Sequence, residues 1–294
     1  MRLAALYVAD VPGTALHVAA GDGFVAVDDL AVDANRPELA GLRDVGDLYS
    51  RGPGTVALLG EVAAGATATV AAAGARYAPP VLRPGKIICV GLNYADHIAE
   101  SRSTKPDTIV LFAKFASCLV GSGDPIVHPE VTSRLDYEGE LAVVIGQRAR
   151  NVTVADALGY VGGYTIINDV SARDLQGAEP QWIRGKALDT FAPLGPVVLD
   201  VAAAPPVSEM RLRTRVNGEV RQDASCGLMI TGVPELIAYI SEAITLEPGD
   251  IIATGTPSGV ALGMTPPPWL VPGDTVSIDI TGIGELVNTV AKPA

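Results

Sequence analysis

The sequence predicts an α+β protein in which β-strands predominate. Glycine and proline account for 32 and 22 of the 294 residues, and they divide the chain into short apolar runs instead of long helices. Runs such as those at 108–115 and 140–146 have the length of single strands, and they alternate irregularly with helical patterns. This pattern favours a mainly β fold with a few helices over a doubly wound parallel sheet.

Two units are expected along the chain. Residues 1–80 contain the strand candidates LAALYV, TALHVAA and GFVAVDDL, then a helical stretch near RDVGDLYS. The alanine-rich segment 56–75 suits either one more helix or a pair of strands. Three prolines in 78–87 mark a boundary, because prolines stiffen the chain and end regular elements. We therefore expect a small N-terminal domain at 1–80 and a second domain at 81–294.

The second unit contains the clearest local signals. Asn217-Gly218 lies between alternating residues and predicts a type I′ hairpin. The segment VPELIAYISEAITLEPGD (233–250) has apolar residues at helical spacing and ends in Pro-Gly, which predicts a helix. Most other apolar runs after residue 85 are short enough to be strands.

Acidic residues recur at every second position of RLDYEGELAVVIG (134–146), which we interpret as one strand. Because side chains alternate across a strand, Asp136, Glu138 and Glu140 are expected on one face. A solvated edge strand is the simpler explanation. A bound cation explains more, since it relieves the repulsion between like charges on a strand that continues into an apolar run.

Asp169 is the candidate third ligand, because it ends the apolar strand of GYTIINDVSARDLQ (163–176). Locally, Asp169 or Ser171 can equally well cap the helix that follows. Three carboxylates form an all-oxygen site suited to Mg²⁺, Mn²⁺ or Ca²⁺. Such a site leaves positions open for water and substrate oxygens, as a catalytic metal requires.

A histidine and a glutamate are paired in VGLNYADHIAES (90–101), where a strand is expected to lead into a helix. His97 and Glu100 are three residues apart and so lie on one helical face. The carboxylate can orient the imidazole as a general base, although a surface ion pair is the alternative. His17 and His128 have no such neighbour and are expected to be structural.

Positive charge is concentrated near the proposed metal strand. Arg173, Arg184 and Lys186 lie close together in sequence, in a chain whose net charge is −12. The glycine-rich turn ATGTPSGV (253–260) offers backbone N–H groups that can hold a carboxylate. Nucleophilic serine or cysteine catalysis has no recognisable motif in the sequence.

The overall charge and cysteine content limit the partners and the compartment. An acidic chain without a Lys/Arg-rich run is not expected to bind nucleic acid or an acidic membrane surface. No uninterrupted apolar segment of membrane-spanning length is present. Cys89, Cys118 and Cys226 are odd in number and widely spaced, which is typical of reduced thiols in a cytoplasmic protein.

Together these segments resemble the fumarylacetoacetate hydrolase family, in particular its bacterial two-domain members. The matching segments run in the family's order over roughly residues 85–290, and they are GLNYADHIAE, DYEGELAVVIG, GYTIINDVSARDLQ, QWIRGKALDTFAPLGP, VNGEVRQ, LEPGDIIATGTPSGV and GDTVSIDITGIGELVN. The resemblance implies a mixed β-sandwich roll with a small N-terminal α/β domain, usually assembled as a homodimer.

The same resemblance assigns roles to nine residues. It implies that Glu138, Glu140 and Asp169 hold a catalytic Mg²⁺ or Mn²⁺, with Ca²⁺ able to replace it in crystals. It implies that His97 and Glu100 activate water and that Lys186 is the active-site lysine. The positions expected to face substrate are Arg173, Gln176 and Thr256.

The activity expected from the resemblance is hydrolysis of acylpyruvate-like 2,4-dioxo acids, with cleavage of a C–C bond to give pyruvate and a carboxylic acid. Acylpyruvases and 2,4-diketo-3-deoxy-sugar-acid hydrolases are family members of this type, and the partner would be a small anionic 2-oxo acid. Oxaloacetate decarboxylation and isomerisation or hydration of 2-oxo acids remain alternatives, because they pass through the same enolate and fold does not select among them. A non-catalytic metal-binding β-protein is the remaining interpretation.

Overall fold

The structure is a computed structural model that describes residues 1–8 and 13–293. The helices in these ranges are α1 Val27–Asp33, α2 Val45–Ser50, α3 Pro53–Ala63, α4 Ala95–Glu100, α5 Arg173–Ala178, α6 Ile183–Lys186 and α7 Val233–Ala243. None of them has the length and hydrophobicity needed to cross a membrane.

Strands are more numerous than helices in the described ranges, as the sequence predicts. They are β1 Arg2–Tyr7, β2 Thr14–Ala20, β3 Gly23–Ala26, β4 Val70–Ala71, β5 Ile87–Gly91, β6 Val110–Lys114, β7 Leu119–Val120, β8 Ile126–Val127, β9 Leu135–Asp136, β10 Gly139–Ile145, β11 Val161–Asn168, β12 Ser171–Ala172, β13 Ala192–Asp200, β14 Arg211–Val216, β15 Glu219–Ser225, β16 Ile251–Ala253, β17 Thr275–Ile280 and β18 Gly284–Ala291.

One large mixed sheet organises the molecule. Its strand order is β4-β3-β2-β1-β13-β11-β10-β16-β5-β6, and β7 pairs with β13 outside this path. The central strand β10 runs antiparallel to both β11 and β16, whereas β16 and β5 are parallel. All residues of β10, β11 and β13 are buried, which explains their nearly continuous apolar sequences.

A second, five-stranded sheet packs on one face of the large sheet. Its order is β15-β14-β17-β18-β8. Leu141 and Val143 of β10 share a core cluster with Leu212 of β14 and Ile278 of β17. The two sheets therefore form a sandwich, and the α+β, mainly β fold class is confirmed.

The opposite face of the large sheet is covered by the N-terminal helices. Ala142 and Val144, which alternate with the sandwich-facing residues of β10, pack in a second cluster with Leu48 of α2 and Leu59 of α3. The strands of residues 1–80 extend the same sheet, because β1 pairs with β13. The division into domains at 1–80 and 81–294 stays a prediction.

Several predicted elements form where expected. The hairpin of β14 and β15 has φ values of 52° at Asn217 and 83° at Gly218, as a type I′ turn requires. The segment at 233–250 is helical over α7. The alanine-rich segment 56–75 contributes most of helix α3 and only the two residues of β4.

Other predicted elements differ from the structure. The strand expected at 134–146 is interrupted, because Glu138 N donates to Asn168 Oδ1 (3.0 Å) and Gly139 N donates to Gln222 Oε1 (3.0 Å) instead of to a neighbouring strand. The expected strand GFVAVDDL becomes helical at Val27, and Asp28 provides a negative charge that favours a helix N-terminus.

Candidate active site

Three buried carboxylates meet where β10 begins and β11 ends. Glu138 precedes β10, Glu140 is its second residue, and Asp169 follows β11, whose Asn168 pairs with Gly139. One carboxylate oxygen from each acid lies within 4.8 Å of the others, and none of the three residues is more than 5% exposed. The strand pairing therefore brings together the three acids that the sequence analysis proposed as ligands.

The chemistry of this triad fits a hard divalent cation. Glu140 Oε2 accepts from Gly255 N (2.8 Å), but Glu140 forms no ion pair with any described residue. Burial, followed by the charges of Asp169 and Glu138, raises the pKa of Glu140 well above its usual value. Asp169 Oδ1 lies 2.8 Å from Lys114 Nζ without hydrogen-bond geometry, so this buried oxygen can accept a further ligand. The triad can hold Mg²⁺ or Mn²⁺ through oxygen atoms alone.

Lys186 lies against the triad at the end of helix α6. Its Nζ donates to Glu138 Oε2 (2.7 Å) and to Asp169 Oδ2 (2.8 Å). Burial disfavours the charged amine, but Asp169 and Glu138 outweigh burial and raise the pKa of Lys186. The lysine therefore remains a cation, and it can stabilise negative charge that develops on a substrate.

Lys114 is a buried cation that the sequence analysis did not include among the site residues. Its Nζ donates to the carbonyl oxygens of Phe191 (2.8 Å), Val170 (3.1 Å) and Lys186, beside its ion pair with Asp169. These contacts place Asp169 and the end of α6 relative to β6. The available signal was a lysine at the end of the otherwise apolar strand at 110–114, where an unpaired charge would be costly.

His97 and Glu100 are in contact on helix α4. His97 Nδ1 lies 2.8 Å from Glu100 Oε1, and Glu100 Oε2 accepts from Gly259 N (2.8 Å). We assign the Nδ1 proton to this contact, because an ionised carboxylate can only accept. Nε2 is then the nitrogen available as a base, and His97 lines the same cavity as Glu138 and Glu140. The other histidines contact backbone oxygens close in sequence.

Arg173 on α5 connects several of the buried acids. Its Nε donates to Asp136 Oδ2 (2.9 Å), its Nη2 lies 2.6 Å from Glu138 Oε1, and its Nη1 donates to Gln176 Oε1 (3.0 Å). Burial opposes the charge, but Glu138 and Asp136 outweigh it and raise the pKa of Arg173. The amide nitrogen of Gln176 remains available to the cavity.

Thr256 lies on the other side of the triad. Its hydroxyl donates to Gly139 O (2.9 Å) and accepts from Gln222 Nε2 (2.7 Å). Thr256 lines the cavity, but these two bonds also fix the turn after β16 to the start of β10.

The glycine-rich turn at 253–260 holds carboxylates of the protein itself. Gly255 N donates to Glu140, and Gly259 N donates to Glu100.

Arg184, by contrast, is exposed and pairs with Glu179 (2.7 Å), so it does not join the site. Neither Asp169 nor Ser171 caps helix α5; Ser171 Oγ donates to Asp169 O (2.9 Å) instead.

A cavity of about 260 Å³ opens onto these groups. Seven of the nine predicted site residues line the cavity. The other two, Glu100 and Asp169, lie behind the lining residues. Its outer wall is apolar: Phe112 and Trp182 pack edge to face with their ring centroids 5.4 Å apart. The cavity thus has a charged floor and an aromatic wall, an arrangement typical of small-molecule sites.

Comparisons with known proteins point to one family. The profile of the family described as fumarylacetoacetate (FAA) hydrolase C-terminal matches residues 86–291. Oxaloacetate tautomerase YisK of Bacillus subtilis is 48% identical over 215 residues, which cover 72% of this chain and 71% of that protein. Mitochondrial oxaloacetate tautomerase FAHD2A of Bos taurus is 36% identical over 292 residues, 99% of this chain and 91% of that protein.

Solved structures show the same fold over whole chains. Fumarylacetoacetate hydrolase (EaFAH) from the psychrophilic Exiguobacterium antarcticum superposes with a TM-score of 0.81 at 38% identity, covering 100% of both chains. Maleylpyruvate hydrolase from Sphingobium sp. SYK-6 gives a TM-score of 0.80 at 32% identity, again over 100% of both chains.

Proposed function

Because the chain belongs to the fumarylacetoacetate hydrolase family, we propose that it is a divalent-metal-dependent enzyme that interconverts the keto and enol forms of oxaloacetate-like 2-oxo acids. The observation that carries this proposal is that the His97–Glu100 pair and the acidic triad face one cavity. Two relatives described as oxaloacetate tautomerases support the choice of reaction.

The residues that would hold the metal are Glu138, Glu140 and Asp169, and Mg²⁺ or Mn²⁺ suits their oxygen atoms. When bound, the cation would supply Lewis-acid polarisation of the 2-oxo group. Lys186 neutralises part of the charge of the triad, and it keeps one N–H beyond those given to Glu138 and Asp169.

The chain's own residues account for the proton transfer. His97 Nε2 removes a proton from C3 of the 2-oxo acid, while Glu100 holds the imidazole through Nδ1. The electron pair of the C–H bond forms the C2=C3 double bond, and the π pair of the C2 carbonyl moves to its oxygen, where Lys186 stabilises the negative charge. Delivery of the proton to that oxygen completes the enol, so that no atom is gained or lost. Gln176 orients the substrate with its free amide nitrogen.

Hydrolysis of acylpyruvates is the second candidate, and the aromatic wall of Phe112 and Trp182 favours it because an acyl group can pack there. In this reaction His97 takes a proton from water, and the resulting hydroxide attacks the distal carbonyl. The C–C bond then breaks, its electron pair remains on the pyruvate carbon as an enolate, and His97 returns the proton. A solved structure described as a maleylpyruvate hydrolase supports this candidate.

One panel of substrates distinguishes these reactions. The wild-type enzyme with Mg²⁺ is given enol oxaloacetate and a series of acylpyruvates, and enol absorbance, pyruvate and CO₂ are followed separately. We expect enol absorbance to decay without matching CO₂ release. If pyruvate forms only from acylpyruvates, the enzyme is a hydrolase and not a tautomerase. Release of CO₂ in step with the loss of enol absorbance would indicate decarboxylation. No reaction with any of the substrates would overturn the proposal.

We also propose that the protein acts as a homodimer in the cytoplasm, without nucleic-acid or membrane partners. The net charge of −12 supports the exclusion of nucleic acid. Ile230 and Tyr239 are 41% exposed and line one surface cavity, and exposed apolar side chains grouped in this way are typical of subunit interfaces. Sedimentation velocity would contradict the dimer if it gave the mass of a single chain.

A further inference from the structure

We propose that Asp136 is a positioning residue that ties the His97–Glu100 pair to the substrate-facing Arg173. This inference rests on the proposed function, because it assigns a role within the same site. Asp136 is fully buried, it is not one of the triad acids, and it does not line the cavity.

Both oxygens of Asp136 are fully used by N–H donors. Oδ1 accepts from Tyr137 N (2.9 Å) and Ala261 N (2.8 Å), and Oδ2 accepts from Arg173 Nε (2.9 Å) and Leu262 N (3.1 Å). Four donors on one buried group need the two acceptor oxygens of a carboxylate, since an amide has a single oxygen and would turn its NH₂ towards two of the donors. Asp136 therefore fixes two separate parts of the site, Arg173 and the turn at 258–262.

The turn at 258–262 also supports the His97–Glu100 pair. Gly259 N donates to Glu100 Oε2 (2.8 Å), and Gly259 O accepts from Tyr137 Oη (2.8 Å). Ser258 Oγ donates to Asp96 Oδ2 (2.7 Å) on the same helix as His97. The turn thus bridges α4, which carries the base, and the chain at 136–137.

The turn has little freedom to adjust. Gly259 has φ +107°, and a Cβ at this position would lie 2.0 Å from Arg221 O. A Cβ on Gly263 would lie 2.4 Å from Glu100 Oε2. Because the backbone of Arg221 and the side chain of Glu100 pack this closely against this segment, a change in its anchor at Asp136 is transmitted to Glu100 instead of being absorbed locally.

The contact with Asp136 also determines which nitrogen atoms of Arg173 are available to the site. With Nε on Asp136, Nη2 faces Glu138 and Nη1 faces Gln176. Loss of the carboxylate would let the guanidinium rotate, and both the floor of the cavity and the base would lose their alignment together.

The test is Asp136→Asn, assayed on the reaction that the wild-type enzyme catalyses best in the substrate panel. We expect kcat to fall by roughly 10²-fold, since a misplacement of about 1 Å costs that much, while the Mg²⁺ dissociation constant stays within about threefold. In the background of His97→Ala the same substitution should lower kcat by a smaller factor than in the wild type, because the part of its effect that acts through the base is already lost. Multiplicative losses in the double variant would overturn the proposal.

An activity-independent measurement separates this inference from the proposed function. Amide hydrogen exchange in Asp136→Asn should rise both at 258–263 and in helix α4, whichever reaction the enzyme performs. Asp279→Asn is the control, because Asp279 pairs with Arg215 (2.6 Å) on the small sheet and should leave both segments and kcat unchanged. Faster exchange at 258–263 with α4 unaffected would contradict the coupling.

Tyr137→Phe keeps the test valid if Asp136→Asn does not fold. It removes only the bond to Gly259 O, and we expect a several-fold lower kcat with faster exchange in α4. An unchanged kcat and unchanged exchange in this variant would also overturn the proposal.

Discussion

Glu138 and Glu140 are two residues apart and have opposite electrostatic environments. Glu138 contacts both Lys186 and Arg173, and these cations outweigh burial and lower its pKa. Glu140 has one backbone N–H donor and no ion pair in the described part of the chain, and its pKa is raised. The protein's own cations therefore neutralise the charge of Glu138, whereas the charge of Glu140 is left for a bound cation to neutralise.

This asymmetry predicts the stability of the metal-free protein. A raised pKa means that the folded state holds a proton at Glu140 which the unfolded state releases, so stability falls as the pH rises above the ordinary value of 4.5. Glu140→Gln removes this penalty. We expect the chelated variant to melt at a higher temperature than chelated wild type at neutral pH, and to gain no stability from added Mg²⁺.

Glu138→Gln is the matched control, because it leaves Lys186 and Arg173 without a shared carboxylate. The chelated Glu138→Gln protein should melt below wild type. Thermal unfolding with and without EDTA measures both variants. A lower melting temperature for chelated Glu140→Gln would contradict this account of the triad.

At the scale of elements, the contact between α5 and α6 sets the floor of the cavity. Helix α5 carries Arg173 and Gln176, and α6 carries Lys186. A Cβ on Gly185 would lie 2.5 Å from the backbone nitrogen of Gln176. The glycine at 185 thus lets the two short helices approach closely enough for both cations to reach Glu138.

Gly185→Ala should separate these helices. Overpacking of this kind costs about 1–3 kcal/mol, and the displaced Lys186 should lower kcat by at least roughly 10-fold. Steady-state kinetics and thermal unfolding measure the two effects. Gly54→Ala in α3 is the control, since a Cβ there meets no atom within 4 Å. It should alter neither kcat nor thermal stability. Normal kcat in Gly185→Ala would show that this approach is not needed.

At the scale of the whole molecule, the features predictable from sequence are those set by local geometry. The two-residue spacing of Glu138 and Glu140 at the start of β10 brought these acids together, and helical spacing brought His97 to Glu100. The Asn217-Gly218 turn was equally local. Each of these depends on residues within a few positions of one another, so a single sequence contains the necessary information.

The features that sequence reasoning missed depend on distant segments. Lys114 meets the carbonyl oxygens of residues 170, 186 and 191, and Asp136 meets N–H groups more than a hundred residues away. Arg184 was grouped with the site because it is near Lys186 in sequence, but it faces solvent. The break in the strand at 137–138 likewise depends on side chains of residues 168 and 222.

The site is rich in buried cations, although the chain as a whole is strongly acidic. Lys114, Arg173 and Lys186 are all at most 8% exposed, whereas the net charge is −12. These cations compensate acids that the strand ends bring together. A small anionic substrate would therefore depend on the cavity itself, and not on the surface, for favourable electrostatic interactions.

Hydrogen exchange at C3 of the substrate tests the proposed tautomerase most directly, because tautomerisation removes a proton from C3, whereas the rival reactions form their enolate by C–C cleavage. Wild-type enzyme and Mg²⁺ in D₂O should exchange the C3 hydrogens of oxaloacetate, followed by NMR, faster than a Mg²⁺ blank. His97→Ala should lower this rate by roughly 10²–10⁴-fold, EDTA should abolish it, and His128→Asn should leave it unchanged. Exchange at the blank rate with wild type, or undiminished exchange with His97→Ala, would contradict the assignment of the base and the metal site.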